Sequence, residues 1–313
     1  MSDIVTDYKN GIYNADSGYE GGGVASIYII RDEGRTAIVD TASRAALEPV
    51  TRAMRDMGAE SGSVDYIFLT HVHLDHSGGA GAFVKEFPNA RVVVHKRGAR
   101  HVIDPEKLVR GAAEIYGAKT FDRLYGKVLP VPEDLVVTAG DGDEFRVGNR
   151  TIVCMDTPGH ALHHLAFLDA RTNGVFTGDA FGMSYLELRN QSGTGVMLTT
   201  SPVQFDPEAM EASMRRIESL EPEYLYLTHF GRAARADIAS SLYRQLERYT
   251  ELAGSVNGDL EEIRAGLKDI YAAERELQDC PCFTDSSCRV MRVAMELNAQ
   301  GLALWYGKTL KNK

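Results

Sequence analysis

The sequence predicts an α/β fold followed by a helical region. Over the first two-thirds of the chain, strand-sized apolar runs alternate with segments of helical periodicity. Several of these runs are followed by a histidine or an aspartate, and after His229 the pattern becomes almost entirely helical. A chain of 313 residues with 44% hydrophobic and 25% charged residues has the composition of a folded globular protein, large enough for one big domain or two smaller ones.

The individual elements can be predicted in chain order. Apolar β-branched runs bounded by turn residues predict strands, and apolar residues three and four apart predict helices. Strands are predicted at residues 24–30, 36–39, 64–69, 91–94, 135–138, 144–147, 151–155, 165–168, 175–177 and 224–227. Helices are predicted at residues 45–57, at 80–87, at about 206–220 after the Asp206-Pro207 start, and through most of 233–310. We therefore expect an α/β domain at 1–232 and a helical C-terminal region at 233–313 packed on it.

One segment is unusually rich in metal-binding side chains. His71, His73, Asp75 and His76 lie within six positions of a chain that has nine histidines. Such a cluster arises by chance in roughly one chain in a thousand. In a loop that leaves a strand, the first two histidines can face one point while Asp75 and His76 face a second point about 3.5–4 Å away, the separation typical of two-metal sites.

Three further candidate ligands also follow the ends of predicted strands. His160, Asp179 and His229 each come within a few residues of the end of a predicted strand, as His71 does. Open α/β sheets bind ligands outside the carboxyl ends of their strands. We therefore expect these side chains to converge on one crevice.

Together, these motifs resemble those of the metallo-β-lactamase-fold hydrolases. The resemblance covers roughly residues 20–232 and includes Asp40, which follows a strand as the early aspartate of that family does. It implies a four-layer αββα sandwich with a binuclear metal site between the two sheets. It also implies the ligands of each metal: His71, His73 and His160 for the first, Asp75, His76 and His229 for the second, with Asp179 bridging.

The implied ligands define the expected chemistry. Imidazoles and carboxylates without a thiolate suit two divalent metal ions, Zn foremost, with Fe or Mn as alternatives. A metal-bound water has its pKa lowered towards ~7, which makes a hydroxide nucleophile available at neutral pH. The hypothesis is that this hydroxide attacks a carbonyl polarised by one metal, while Asp75 takes or relays a proton.

Two residues beside the ligands are further candidates for catalytic roles. Asp40 is predicted to orient a histidine ligand, because metal sites generally need such a partner for their imidazoles. His163 is predicted to lie near the site, where it is a candidate proton relay, and His164 to open the next strand.

Two long stretches are predicted to be irregular and to wall the pocket. They cover residues 115–132 and 181–205, and they carry Tyr116, Phe121, Tyr125, Phe181, Met183, Tyr185 and Met197. The same side chains would equally serve to hold these loops on the core. Cys280, Cys282 and Cys288 lack the fourth ligand and the spacing of a zinc site, so reduced thiols without a role are predicted for them.

The leading functional hypothesis is hydrolysis of a small ester, lactone or thioester. Only 50 residues separate Asp179 from His229, which leaves no room for the large inserted domain of the nucleic-acid-processing members of the family. The lactonases place a tyrosine just after the bridging aspartate, where this chain has Ala180-Phe181-Gly182 and the nearest tyrosine is Tyr185. The alternative is a non-hydrolytic di-iron protein that binds, reduces or senses dioxygen.

Charge and hydropathy limit the expected partners. A net charge of −10 disfavours nucleic acid. The N-terminus lacks the pattern of a signal peptide, and the longest apolar runs are strand-sized, so we expect a cytoplasmic location without membrane association. The expected partner is a small-molecule substrate. The apolar residues of the last helix would suit either packing on the core or a homodimer: Leu297, Leu302, Leu304 and Trp305.

Overall fold

The computed structural model describes residues 5–189, 195–280 and 289–311, which fall into two units. Unit 1 comprises Met1–Asp156 and His163–Gly178, and unit 2 comprises Thr157–Leu162 and Asp179–Lys313. Cys282 and Cys288 lie outside the described residues, whereas Cys280 is buried. The domain boundary predicted after residue 232 stays a prediction.

Within the described residues, unit 1 contains a seven-stranded mixed sheet whose strands lie side by side in chain order. Strands β1 to β4 pair antiparallel, and β4 to β7 pair parallel. The predictions for β3 to β7 agree within two residues, whereas β1 and β2, which flank the tight turn at Asn10 and Gly11, were not predicted. The strands are β1 (Val5–Asp7), β2 (Ile12–Asp16), β3 (Ser26–Asp32), β4 (Arg35–Val39), β5 (Val64–Phe68), β6 (Arg91–His95) and β7 (Val136–Ala139).

Helices connect the parallel strands of this sheet. They are α1 (Leu47–Asp56), α2 (Leu74–Ser77), α3 (Ala80–Glu86), α4 (Ala99–Ile103), α5 (Glu106–Tyr116) and α6 (Ala118–Tyr125). Val50 and Met54 of α1 and Phe83 of α3 belong to the same buried cluster as the strand residues Ile38 and Ile67. Burial of each such side chain contributes about 1.5–3 kcal/mol. This apolar face therefore fixes the helices on the sheet.

The prediction of an irregular stretch at residues 115–132 is wrong over its first half. Residues up to Tyr116 end α5, and Ala118–Tyr125 form α6. Gly117 separates the two helices with a φ of +77°, a conformation that glycine adopts readily. Phe121, Leu124 and Tyr125 lie three and four residues apart and are buried together with Leu74 of α2. This helical spacing of apolar residues is the feature of the sequence that would have predicted α6.

Four more strands of unit 1 form an antiparallel meander. They are β8 (Glu144–Val147), β9 (Arg150–Asp156), β10 (Leu165–Asp169) and β11 (Gly174–Gly178). Aromatic side chains join it to the first sheet: the ring of Phe68 lies 5.0 Å from that of Phe167 and 5.6 Å from that of Phe145. Tyr28 and Phe176 make a similar contact at 5.2 Å. Unit 1 is therefore built on two sheets packed face to face.

Unit 2 contains one β-hairpin and the long helices. Its elements are α7 (Pro207–Ser219), β12 (Tyr224–Leu227), β13 (Gly231–Ala234), α8 (Arg235–Ser255), α9 (Leu260–Leu277) and α10 (Arg289–Lys311). The predicted start of α7 is confirmed, since the Asp206 carboxylate accepts a hydrogen bond from the backbone N–H of Ala209 at 3.1 Å. Strand β13 was not predicted. Among the described residues, no helix has both the length and the apolar character needed to cross a bilayer.

Candidate metal centre

The histidine-rich segment leaves β5 and turns into the one-turn helix α2. His73 has extended backbone angles and precedes Leu74, so Asp75 and His76 lie in that helix rather than in the predicted loop. The hydroxyl of Ser77 shares its one proton between the carbonyls of Val72 and His73, which lie 3.0 and 3.1 Å from its oxygen. This contact tightens the turn. The segment is therefore ordered by its own local hydrogen bonds.

Four candidate ligands of unit 1 lie close together. The Nε2 of His71 lies 2.9 Å from the Nδ1 of His73, and the rings of His71 and His76 are 3.9 Å apart. The Nε2 of His76 lies 3.9 Å from the carboxylate of Asp75. His71 and His76 are fully buried, whereas the side chain of Asp75 retains 28% of its exposure. This is a compact set of nitrogen and oxygen donors in which His73 and Asp75 are partly exposed and His71 and His76 are buried.

Asp40 is placed where it can orient His76. It follows β4 with a φ of +61°, and its Oδ2 lies 3.0 Å from the Nδ1 of His76. The other oxygen accepts the backbone N–H of Thr70 at 2.8 Å. The backbone N–H of Thr41 donates to the carbonyl of His76 at 2.7 Å. With Nδ1 donating to Asp40, the lone pair of the His76 ring resides on Nε2, the nitrogen nearer Asp75.

His163 also lies beside the histidine segment. Its Nδ1 accepts the backbone N–H of Val72 at 3.5 Å, and its ring lies 6.3 Å from that of His71 and 5.7 Å from that of His73. Burial, reinforced by the nearby His73, lowers the pKa of His163 to about 3, so its ring is neutral near pH 7. His164 is fully buried directly before β10, as predicted.

In unit 2, one carboxylate lies between two imidazoles. The Oδ2 of Asp179 is 3.4 Å from the Nε2 of His160, and its Oδ1 is 3.8 Å from the Nε2 of His229. All three side chains are buried. The ring of Tyr185, the tyrosine nearest in sequence after Asp179, packs edge-on against His229 at 5.9 Å. Each oxygen of Asp179 thus faces a different nitrogen donor.

The turn that carries His160 is fixed by α7. Gly159 has a φ of +133°, and a Cβ there would lie 2.3 Å from the Cα of Met210. The backbone N–H of Asp206 donates to the Gly159 carbonyl at 2.9 Å, and the hydroxyl of Ser213 donates to the Pro158 carbonyl at 2.6 Å. The sequence therefore needs glycine before His160 both for conformation and for space.

Aromatic residues surround Asp75 on the side of α5 and α6. The hydroxyls of Tyr19 and Tyr125 lie 2.9 Å apart, and the rings of Tyr116 and Tyr125 are separated by 6.2 Å. Burial, followed by the charge of Asp75, raises the pKa of both Tyr116 and Tyr125. The sequence indicated Tyr116 and Tyr125 as pocket residues, but it missed Tyr19, which is 106 positions from Tyr125.

The donors present fit divalent metal ions by their chemistry. Unit 1 contains three such imidazoles and a carboxylate, and unit 2 contains two imidazoles and a carboxylate, with no thiolate among these candidate ligands. Neutral imidazole and carboxylate are the ligands that Zn, Fe and Mn share. The contact of Asp40 with His76 is also the kind of support that metal-ligating histidines require.

The fold and these residues define a known family. The family model described as the Metallo-beta-lactamase superfamily matches residues 21–229, and the chain belongs to that family. The predicted fold class is confirmed: an αββα metallo-β-lactamase sandwich with a helical C-terminal region.

Individual relatives are similar at moderate identity. A metallo-beta-lactamase fold-containing protein of Sulfurisphaera tokodaii is 27% identical over 213 residues, which are 66% of this chain and 73% of that protein. A protein of Bos taurus named acyl-coenzyme A thioesterase MBLAC2 is 27% identical in an alignment of 179 positions that covers 51% of this chain and 60% of its own length. The alignment therefore spans less than two-thirds of the bovine relative.

A solved structure supports the fold over nearly the whole chain. A metallo-beta-lactamase family protein from Thermus thermophilus superimposes with a TM-score of 0.64. The match covers 98% of this chain and 95% of that protein at 20% sequence identity. At this identity the likeness concerns the fold alone.

Proposed function

We propose that the chain is a metal-dependent hydrolase of a small ester, lactone or thioester. The observation that carries the proposal is the carboxylate of Asp179, whose two oxygens face His160 and His229 at 3.4 and 3.8 Å. A buried carboxylate with a nitrogen donor close to each of its oxygens could serve, together with those donors, as a ligand of divalent metal ions. Membership in the metallo-beta-lactamase superfamily and the donor cluster of unit 1 support the same assignment.

The proposed ligands are those that the resemblance to the metallo-β-lactamase-fold hydrolases implies. One divalent ion would be held by His71, His73 and His160, and the other by Asp75, His76 and His229, with Asp179 between them. Zn is the first expectation and Fe or Mn the alternatives. When bound, such ions polarise an acyl carbonyl and lower the pKa of a water molecule towards ~7.

The neighbouring side chains would hold ligands and move protons. Asp40 would keep the His76 ring in one tautomer through its 3.0 Å contact. Asp75 is the side chain best placed to take or relay a proton, because it is partly exposed. His163, with a pKa of about 3, is a poor base near pH 7. With Nδ1 accepting from Val72, its Nε2 carries the proton and can donate to a substrate oxygen.

The substrate class rests on chemistry and on one relative. Esters, lactones and thioesters all present an acyl carbonyl to a nucleophile and release an oxygen or sulfur leaving group. The name of the bovine relative, an acyl-coenzyme A thioesterase, favours the thioester within this class. A small-molecule substrate rather than nucleic acid agrees with the net charge of −10.

Elemental analysis paired with a hydrolysis screen tests the proposal. Wild-type protein, the Asp179→Ala variant and the control Asp156→Ala would be assayed for metal content and for turnover of aryl esters, lactones and acyl thioesters. Asp156 is a suitable control because its half-exposed carboxylate contacts His95 at 3.3 Å and lies outside the proposed ligand set. We expect Asp179→Ala to lose most bound metal and activity, by at least about 10²-fold, and the control to retain both.

Two results would contradict the proposal. The first is an Asp179→Ala variant with full metal occupancy and normal turnover. The second is a coloured, iron-loaded wild-type protein that is inert to every acyl substrate, which would favour the dioxygen-binding alternative.

A further inference from the structure

The C-terminal helices bury side-chain amides that face one stretch of backbone. This stretch is the 196–201 segment, and the amides belong to Gln245 of α8, Gln278 just after α9 and Asn298 of α10. Gln245 and Asn298 are fully buried. A buried primary amide is stabilising only where its hydrogen bonds are satisfied. The hydrogen-bond partners of these amides therefore identify the backbone that the amides hold in place.

Two of the amides hold the start of the segment. The Oε1 of Gln278 accepts the N–H of Val196 at 2.8 Å, and its Nε2 donates to the Val196 carbonyl at 3.0 Å. The Oε1 of Gln245 accepts the N–H of Leu198 at 2.8 Å, and its Nε2 also donates to the Val196 carbonyl, at 3.1 Å. Both amides thus use their acceptor and their donor on backbone groups.

Asn298 continues the pattern further along the segment. Its Oδ1 accepts the N–H of Thr200 at 2.7 Å, and its Nδ2 donates to the Leu198 carbonyl at 3.0 Å. The bonded residues are thus alternate ones, 196, 198 and 200, as along the edge of a β-strand. Three side-chain amides take the place of a neighbouring strand.

The amides are themselves held by buried groups of the helices. The fully buried carboxylate of Glu274 accepts two bonds from Arg244 at 2.8 Å and one from the Nε2 of Gln278 at 2.8 Å. The Nδ2 of Asn298 also donates to the hydroxyl of Tyr271 at 2.8 Å. These contacts fix which end of each amide donates and which accepts.

The other edge of the segment reaches the loops of the candidate ligands. Met197 and Met183 exchange two backbone hydrogen bonds of 2.8 Å, and Met183 is four residues after Asp179. The next residue, Ser184, donates its N–H to the carbonyl of His229. At the end of the segment, the buried hydroxyl of Ser201 donates to the carbonyl of His160. The segment is therefore bonded directly to the carbonyl of His160 and, through Met183, to the loop that follows Asp179, while it reaches the carbonyl of His229 only by way of Ser184.

We propose that Gln245 and Asn298 are positioning residues for the metal ligands His160, Asp179 and His229, acting through the 196–201 segment. This inference rests on the proposed function, because it assumes that these three side chains bind metal. The helical region then sets the ligand geometry without contributing a ligand. Groups that hydrogen-bond a metal ligand directly typically alter metal affinity by 10–100-fold, and since these amides act at least one contact further away, we expect an effect at the lower end of that range.

The test measures zinc affinity and backbone protection in the full chain. Competition with a chromophoric chelator gives the dissociation constant for Zn²⁺, and amide hydrogen exchange reports on residues 157–162. The variants are Asn298→Ala and Ser201→Ala, with Ser201→Thr retaining the hydroxyl. The control is Glu296→Gln, which breaks the ion pair with Arg264 on the neighbouring helix without touching the segment.

The variants that lose a contact to the segment or to His160 should differ from the two controls in both Zn²⁺ affinity and exchange rate. Asn298→Ala and Ser201→Ala should weaken Zn²⁺ binding roughly 10-fold and speed exchange in residues 157–162 even without metal, whereas Ser201→Thr and Glu296→Gln should stay within about twofold of wild type. Should Asn298→Ala not fold, Gln245→Ala carries the test, because it removes the bonds to Leu198 and Val196: its Zn²⁺ affinity should fall and its exchange in residues 157–162 should speed up in the same way, and wild-type values for both would overturn the proposal.

The failure of the inference can be told from the failure of the proposed function. A wild type that binds zinc, with Asn298→Ala and Ser201→Ala binding it equally well, overturns the positioning role alone. A wild type that takes up no metal overturns both.

Discussion

At the scale of single residues, the contact between Asp40 and His76 has the clearest chemical consequence. Asp40 lies 3.0 Å from Nδ1 of His76 and is itself anchored by the backbone N–H of Thr70. An acceptor at this place keeps the proton on Nδ1. The nitrogen that faces Asp75 is then unprotonated, which is the state a metal ligand needs.

We expect Asp40→Asn to lower metal affinity by about 10–100-fold. The amide has the same size but can direct an N–H at the Nδ1 of His76, which would move the ring proton to Nε2. Asp65→Asn is the matched control, because Asp65 pairs with Arg35 away from the ligands. Zinc titration of both variants is the measurement, and equal affinities would show that the orientation of His76 by Asp40 is unimportant.

At the scale of elements, the turn before His160 shows how tightly the backbone constrains the site. Gly159 combines a left-handed φ with close contact to α7, and hydrogen bonds hold the carbonyls on either side of it. The turn therefore has one accessible conformation, which sets the direction of the His160 side chain.

We expect Gly159→Ala to destabilise the fold by at least ~2 kcal/mol, since the new methyl group adds both backbone strain and a clash with Met210. Gly111→Ala is the control, because Gly111 lies within α5 with open space around it and should gain about 0.5–1 kcal/mol in stability. Urea denaturation gives both free energies of unfolding. A Gly159→Ala protein as stable as wild type would mean that the turn can relax.

At the scale of the whole molecule, the sequence predicted what local patterns encode. Most strands and the α7 cap were predicted within two residues, and the metal site predicted from the spacing of the histidine segment stays a prediction. The sequence could not indicate contacts between distant positions, such as Asn298 with Thr200, 98 residues apart, or Tyr19 with Tyr125. Helix α6 was missed because its aromatic residues were interpreted as a loop wall rather than as a helical face.

The proposed positioning role also accounts for the buried polar groups of the helical region. Helices α8 to α10 bury amides and the carboxylate of Glu274, whose partner Arg244 is partly exposed, and burying such polar groups costs free energy. A buried polar network of this kind makes sense where it fixes one backbone geometry. Here that backbone is the 196–201 segment and, through it, the turn of His160.

Zinc titration of chelator-treated wild-type protein tests the central claim most directly. We expect saturation at about two ions per chain, with a rise in stability of about 2.7 kcal/mol for each site whose dissociation constant is exceeded 100-fold by free zinc. A chain that neither binds zinc, iron or manganese nor gains stability from any of them would contradict the account.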